Sequence, residues 1–541
     1  MSRSVDAVII GSGHNGLVAG AYLARAGWAV EVLERAQRPG GAVTTEELTL
    51  PGYRHDTFSS WHPLFHLSAA WAELGDELRA RGLEYVNFDD VVTATVRADG
   101  SLVVGYRDPE RTAAELAGTD GATYLRELGE LGAHMPVLGE LLSTELHSPR
   151  ALALVAGLAR AMGVRGGLAF GARATASARA WLAPRFAGPE LGDLLAPWVL
   201  HTGMTPDDAG SAFPMLALAG ALHDPGLPVV RGGSAAFTDA FVRLIEDNGG
   251  AVRCGAEVER ILVRGGRACG VRTGGEEIAA RRAVIANTTP TQLYGRLLEG
   301  APVGEAVREQ ARRFRYGRRA GTQIHLALSR PPRWRGDARL AEAAIVHLTD
   351  GLDNVSRSCA QAAGGLLPAR PTIVCGQPAI ADPSRVPEGA SLLWIQLQEV
   401  PPRPTGDAAG EIDVGDGTWT DALADAYADR VVSILAERIE DLEATIVGRA
   451  VLSPAELERR NPNLVGGDIY SGAADLDQSY LWRPLPGYGS HATPVPGLHH
   501  CGASTYPGPG LNAASGRIVA RSLLREPLAT RVRRRVGSLR P

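Results

Sequence analysis

The chain has 541 residues, 45% of them hydrophobic, and a formal net charge of −5 at pH 7. That is room for roughly two to four domains with an ample core, and the mild negative charge excludes a global basic field of the kind that holds nucleic acid. All 55 basic residues are arginine, which excludes lysine chemistry, Schiff-base catalysis included.

Five cysteines stand at 254, 269, 359, 375 and 501. None forms a CxxC pair and the count is odd, so neither a redox disulfide nor a zinc knuckle is expected. The start, MSRSVDAVII, runs straight into a strand without a secretory apolar region, which reads as a cytoplasmic protein. No run of 18 apolar residues is present, so no membrane-spanning helix is expected.

In chain order, Val5–Ile10 reads as a buried parallel strand, and Gly11, Gly13 and Gly16 follow as GxGxxG. Ala19, Leu23 and Ala26 continue at helical spacing. Gly11 allows the tight turn, Gly13 lets the backbone approach a pyrophosphate, and Gly16 lets helix and strand pack closely. The helix N-terminus supplies free N–H groups and a positive dipole end for the phosphates. Residues 29–33 form a second strand that ends at Glu34, 18 residues after Gly16. A carboxylate there accepts ribose hydroxyls and repels a 2′-phosphate, which argues against NADP and leaves NAD and FAD open. His14, Asn15 and Arg35, beside these residues, are taken as cofactor contacts with them.

A second glycine pair, Gly40–Gly41, followed by Ala42, lies in ERAQRPGGAVTTEE. It resembles the extension found in glutathione-reductase-like flavoproteins, amine oxidases and phytoene desaturases among them. That resemblance implies FAD, with the pair beside the ribityl chain and pyrophosphate. The next stretch, GYRHDTFSSWHPLF at residues 52–65, is placed to run toward the flavin ring. His55, Asp56 and His62 are its candidates for chemistry, since a histidine titrates near neutrality and serves as a base. The competing reading is a packed, hydrogen-bonded side chain. His201, in WVLHTGMTP, is a weaker candidate of the same kind.

Residues 76–224 are helical in pattern. Six arginines (150, 160, 165, 173, 179 and 185) and no acid lie between 146 and 189, and ALALVAGLARAMG within that stretch is apolar nearly all round. The reading adopted is a buried helix with solvated arginines around it. The alternative is a membrane-surface helix that admits a lipid-soluble substrate, as the resembling carotenoid desaturases imply.

Residues 231–290 read as a helix over 237–247, a strand over 251–254, a hairpin turning at Gly265–Gly266, and a buried returning strand in RAVIAN. By resemblance, Val258 touches the adenine through its backbone. Residues 301–469 are mixed. TQIHLALS, PTIVCGQPAI and SLLWIQLQEV read as strands of a second sheet, and Leu423, Tyr427, Val431, Ile434 and Leu435 as the core stripe of a helix.

The last informative stretch is PGLHHCGASTYPGPGLNAASGRIVARSLL, residues 496–524. Residues 499–501 read as a short strand, and Gly502–Ala503 give close backbone access. Pro507 and Pro509 forbid helix before Gly510. A helix from near Leu511 to Leu524, through Asn512 and Ala513, then aims its N-terminus at whatever lies beyond Gly510. Tyr506 is placed to border a ring there. The tail RVRRRVGSLRP reads as disordered charge.

This closing motif, with YLWRPLPGYGSHATPVPGLHHCG, SPAELERRNPNLVGGDI and DPSRVPEGA, resembles the phytoene desaturase and carotenoid isomerase-like flavoproteins. It most resembles the branch called pyridine nucleotide-disulfide oxidoreductase domain-containing protein 2-like. The match is firm at both ends and in the middle cofactor segment, and loose over 76–220 and 300–370. It implies an α/β fold: a glutathione-reductase-like (Rossmann-type) FAD-binding domain built from segments 1–75, 225–300 and 470–541. An inserted α+β substrate domain would take 76–224 and 301–469. The ring would meet the N-terminus of the last helix, whose dipole favours the negative charge of reduced flavin. One departure is Ala503–Ser504 where many relatives carry an acid, so the ribityl contact would be weaker or made through backbone.

No second GxGxxG follows a strand and no cysteine pair is present. The expectation is one FAD site, no NAD(P) domain, and electrons leaving to oxygen, a quinone or another diffusing acceptor. The activity implied is that of an FAD-dependent oxidoreductase, a dehydrogenase or desaturase making a C=C or C=N bond in a fairly apolar small molecule. Redox-neutral isomerisation and a non-catalytic flavoprotein in a complex are the alternatives.

Overall fold

Residues 5–10 alternate with both faces apolar, and the structure shows why. Ala7 and Ile9 face one core with Val30, Val32 and Ile285, while Val8 and Ile10 face another with Leu33, Val284 and Ala286. A parallel strand covered on both sides needs such a continuous apolar run. The computed structural model describes residues 3–525; the basic tail read as disordered lies outside them.

The chain opens with β1 (Arg3–Ile10), α1 (His14–Arg25) and β2 (Val30–Leu33), followed by α2 (Ala69–Arg79). Strands β3 (Val91–Val96) and β4 (Leu102–Tyr106) precede five helices: α3 (Asp120–Leu142), α4 (Pro149–Thr175), α5 (Glu190–Leu200), α6 (Ala212–His223) and α7 (Ala235–Asp247). Next come β5 (Ala251–Arg253), β6 (Val258–Arg264), β7 (Arg267–Thr273), β8 (Glu276–Asn287) and β9 (Ala320–Leu328). They are followed by β10 (Ile345–Leu348), α8 (Leu352–Ala363), β11 (Ile373–Gly376), β12 (Ser391–Val400), α9 (Asp421–Ala436) and β13 (Ile446–Leu452). The last elements are β14 (Leu498–Cys501) and α10 (Ala514–Leu524).

Two seven-stranded sheets organise these elements. The first runs β6-β7-β8-β1-β2-β5, with β14 also on β8. Its strands come from three distant stretches of chain. The long β8 pairs with β7 through its first half and with β14 through its second. The second sheet runs β13-β9-β12-β11-β10-β3-β4. The α9 stripe of Leu423, Tyr427, Val431, Ile434 and Leu435 is buried against one face of it, as the periodicity indicates.

Three expectations are corrected. Residues 76–224 are not purely helical, because β3 and β4 extend the second sheet. The closing helix begins at Ala514 rather than near Leu511: Ala513 precedes it with φ 61, a left-handed conformation uncommon for a residue with a Cβ. The stretch around ALALVAGLARAMG is not buried. Helix α4 exposes Leu152 (71%), Val164 (82%) and Leu168 (72%). On length and composition it is apolar enough to cross a membrane, although arginines interrupt its apolar run. Gly163, with φ 65 and ψ 175, interrupts it midway.

Candidate functional site

The carboxyl ends of the first sheet's strands open on a cavity of about 1020 Å³, at the upper end of the range for ligand pockets. Gly11, Gly13, His14, Asn15, Glu34 and Arg35 line it from the first βαβ unit. Gly41 and Ala42, then Val258, then Gly502, Ala503, Gly510 and Leu511 line it from three other parts of the chain.

The glycine loop is shaped by its neighbours. A Cβ on Gly13 would stand 2.9 Å from Asn287 Nδ2, and one on Gly16 would stand 2.3 Å from Gly11 O. Gly16 therefore serves helix–strand packing and does not line the cavity. Gly40 also lies behind the lining: its N–H donates to Ser12 Oγ at 3.2 Å, and it adopts φ 126. Helix α1 starts without a side-chain cap, which leaves the N–H groups of its first turn free toward the cavity. Glu34 holds the loop. Its Oε2 accepts from Ser12 N–H at 2.9 Å and Ser12 Oγ–H at 2.8 Å, and its Oε1 accepts from Ala36 N–H at 2.9 Å.

The closing segment meets this loop. Gly516 N–H donates to Asn15 Oδ1, and Gly502 N–H donates to Ser515 Oγ. Asn512 does not line the cavity; its Oδ1 caps Ala514 N–H at 2.9 Å. Ala513 sits behind it, fully buried. A dinucleotide fits such a site: uncapped N–H groups and close backbone at one end, a ribose-accepting carboxylate beside them, and backbone from the Gly502–Leu511 segment at the other.

The three catalytic candidates are not brought to the cavity. His55 is fully buried, its Nε2 2.8 Å from Thr49 Oγ1 and its ring 5.1 Å from His325. His62 is fully buried between Tyr85 OH at 2.9 Å from Nδ1 and Ser234 Oγ at 3.3 Å from Nε2. Burial pulls the first to about 4 and the second to about 3. Tyr506 donates its hydroxyl to Leu141 O at 2.9 Å, and burial pushes that phenol up. Each makes at least one hydrogen bond within the core, and His55 Nδ1 has no partner among the described residues. Asp56 forms a buried ion pair with Arg385 at 2.5 Å and accepts Ser234 N–H. What the 52–65 stretch does bring to the cavity is Arg54, Phe58 and Ser59. Of the histidines, His14 lines the cavity, and burial holds it near 4.

Several lining residues escaped the sequence reading. Asn287 ends β8 as Glu34 follows β2, and its Nδ2 reaches Gly11 O and Gly13 O at 3.4 and 3.3 Å. Asn463 donates to Asn287 O and accepts Thr289 N–H. Ile469 and Ser471 line the end next to Ser504. The terminal Asn of RAVIAN and the NPN of NPNLVGGD were the available signals.

Residues 9–78 match the NAD(P)-binding Rossmann-like domain family. Over nearly the whole chain the protein is similar to pyridine nucleotide-disulfide oxidoreductase domain-containing protein 2 of Rattus norvegicus, with 28% identity over 96% of this chain and 93% of the relative. It is similar to one of the polypeptides of limonene dehydrogenase from Castellaniella defragrans, at 26% over 97% and 95%. It is also similar to the neurosporene-forming phytoene desaturase of Rhodobacter capsulatus, at 24% over 97% and 95%. Among solved structures, a putrescine oxidase superposes with a TM-score of 0.61 over 97% of this chain and all of that one, at 16% identity, a likeness of fold.

Proposed function

We propose that the reaction of this FAD-dependent oxidoreductase, a relative of the phytoene desaturases, is the dehydrogenation of a largely apolar small molecule. Hydride and proton leave adjacent C–C or C–N positions to give a double bond. The observation that carries this is the cavity walled by the Gly11–Asn15 loop, by Glu34 and by the Gly502–Leu511 segment together.

Bound there, FAD supplies the hydride acceptor. The chain's own residues bind and orient it. First-turn N–H groups of α1 would take the diphosphate, Glu34 the ribose, Val258 the adenine through its backbone, and the Gly502–Ala503 and Gly510–Leu511 segments the ring end. Phe58 and Ile469 keep water from the far end of the cavity. Val258 apart, these roles rest on placement around one space. With no lysine in the chain, an ammonium cannot hold water over the reacting centre as in the resembling amine oxidases.

We take segments 1–75, 225–300 and 470–541 as the cofactor-binding body and 76–224 with 301–469 as the substrate-binding body. Oxygen or a quinone is the acceptor we favour. Helix α4, with exposed leucines and valines beside the exposed Arg160 and Arg165, is the surface we assign to peripheral membrane contact. The deciding experiment is anaerobic mixing of the yellow protein with apolar alkenes and amines. Bleaching of the flavin band with a desaturated product supports dehydrogenation. Many turnovers from pre-reduced protein without an acceptor would replace it with isomerisation.

A further inference from the structure

One wall of the cavity comes from the stretch of chain that builds the second sheet. Arg460, Asn461, Pro462, Asn463 and Leu464 line it, a few residues after β13 ends at Leu452. A short helix, Pro454–Arg460, begins under a Ser453 cap and stops at Asn461, which is extended, as the residue before a proline prefers to be. Three ties hold this turn against the cofactor side. Arg460 Nη1 pairs with Glu46 Oε2 at 2.8 Å, Asn463 Nδ2 donates to Asn287 O, and Asn463 Oδ1 accepts Thr289 N–H. Leu457 and Leu464 anchor it from behind, packed with Leu452.

Asn461 meets the cavity in a defined orientation. Its Oδ1 accepts Asn463 N–H at 3.1 Å. That bond settles which end of the amide is the acceptor and leaves Nδ2 as the end with hydrogens to give. Among the described residues Nδ2 has no acceptor, and the atom is not shielded from solvent. It is a free donor on the surface of the cavity.

That donor stands beside the glycine loop. A Cβ on Gly41 would lie 3.8 Å from Asn461 Nδ2 and 3.2 Å from Gly13 Cα. Asn287 closes Gly13 from another side, its Nδ2 2.9 Å from where a Gly13 Cβ would stand. Two side-chain amides therefore border the backbone that comes nearest a diphosphate. Asn287 Nδ2 is engaged by Gly11 O and Gly13 O, whereas Asn461 Nδ2 is not engaged. The neighbouring Arg460 is not free for an anion, because Glu46 and Glu456 share its guanidinium at 2.8 and 2.7 Å.

Resting on the reading of the cavity as the flavin site, we infer that Asn461 Nδ2–H donates to a non-bridging oxygen of the FAD diphosphate. The body assigned to the substrate thus also grips the cofactor, and bound FAD ties the two bodies together through the 460–464 turn. A hydrogen bond from a neutral amide to an anion is worth about tenfold to hundredfold in affinity.

Asn461→Asp is the informative substitution. The carboxylate keeps an oxygen for Asn463 N–H, so the turn survives, but it replaces the donor with a group that repels phosphate. FAD affinity of the apoprotein, read by quenching of flavin fluorescence at neutral pH, should fall at least about tenfold. ADP carries the diphosphate without the ribityl chain or the ring, and its competition with FAD should weaken by a similar factor. Asn461→Ser also keeps an oxygen for the turn but is too short to reach the cavity, and it should lose about tenfold for FAD. Apoprotein Tm should stay at the parent value in both variants. FAD bound by Asn461→Asp as tightly as by the parent overturns the inference. So does a loss for FAD without a loss for ADP, or failure of ADP to compete in the parent, since either moves the donor off the diphosphate. A loss of affinity matched by a fall in apoprotein Tm in both variants also overturns it and leaves Asn461 a turn residue alone. A parent that takes up no FAD overturns the cofactor reading instead.

Discussion

Gly516 donates its backbone N–H to Asn15 Oδ1 at 3.1 Å, across 501 residues of chain. A Cβ at Gly516 would stand 2.1 Å from Asn15 O, so α10 rests on the first turn of α1 with no room for a side chain. Gly516→Ala should push the helices apart at a cost of about 1–3 kcal/mol, despite alanine's better helix propensity. The expected outcome is soluble protein with a lower Tm and little 450 nm absorbance. A variant as yellow and as stable as the parent would contradict this packing.

Glu34 joins Ser12 and Ala36 through three hydrogen bonds and faces the cavity. Glu34→Ala removes the loop's anchor and the ribose acceptor together. FAD affinity should fall about ten- to hundredfold, the equivalent of one or two bonds to a charged group. Titration of apoprotein by quenching of free FAD fluorescence measures it.

Asp56 and Arg385 are both fully buried. Burial pushes the Asp56 carboxyl up, but Arg385, Ser60 and Ser234 pull it below the ordinary carboxylate value. Asp56→Asn leaves a buried guanidinium short of one partner and should cost about 3–5 kcal/mol, read as a lower urea midpoint with the same slope.

Acid should weaken the fold early. Burial holds His14 and His55 near 4 and His62 near 3, against 6.5 for a free histidine. Below 6.5 the unfolded chain takes up protons that the folded chain refuses. Their contribution is therefore complete above about 6.5 and declines as pH falls toward 4. Unfolding free energies measured from pH 8 to 4 should decline in that window. His62→Asn, which keeps a donor and an acceptor, should flatten the decline by up to one proton.

If α4 seats on lipid, Leu152→Ser with Leu168→Ser should reduce co-sedimentation with anionic vesicles without changing flavin content, and added salt should weaken binding of the parent. Equal sedimentation of parent and variant would remove α4 from that role.

What the sequence made legible was local. A strand, three glycines, a helix and a terminal acid occur within residues 5–34, each constraining the next, and the cavity is lined accordingly. Asn287 and Asn463 were not legible as a pair, because their contact spans 176 residues and no local pattern records it. His55 and His62 sit in the stretch that does reach the cavity, through Arg54, Phe58 and Ser59. Position along a chain, however, does not say which way a side chain points, and here hydroxyl partners and aromatic rings hold both histidines inward. Helix α4 misled in a different way. Apolarity on all sides reads as burial, but Gly163 and the six arginines around it accompany a helix that the rest of the protein leaves uncovered.

Strand β14 adds one strand to the first sheet, and the Gly502–Leu511 segment between it and α10 supplies one wall of the cavity. A chain cut short before Leu498 would keep its GxGxxG and lack both that strand and that wall.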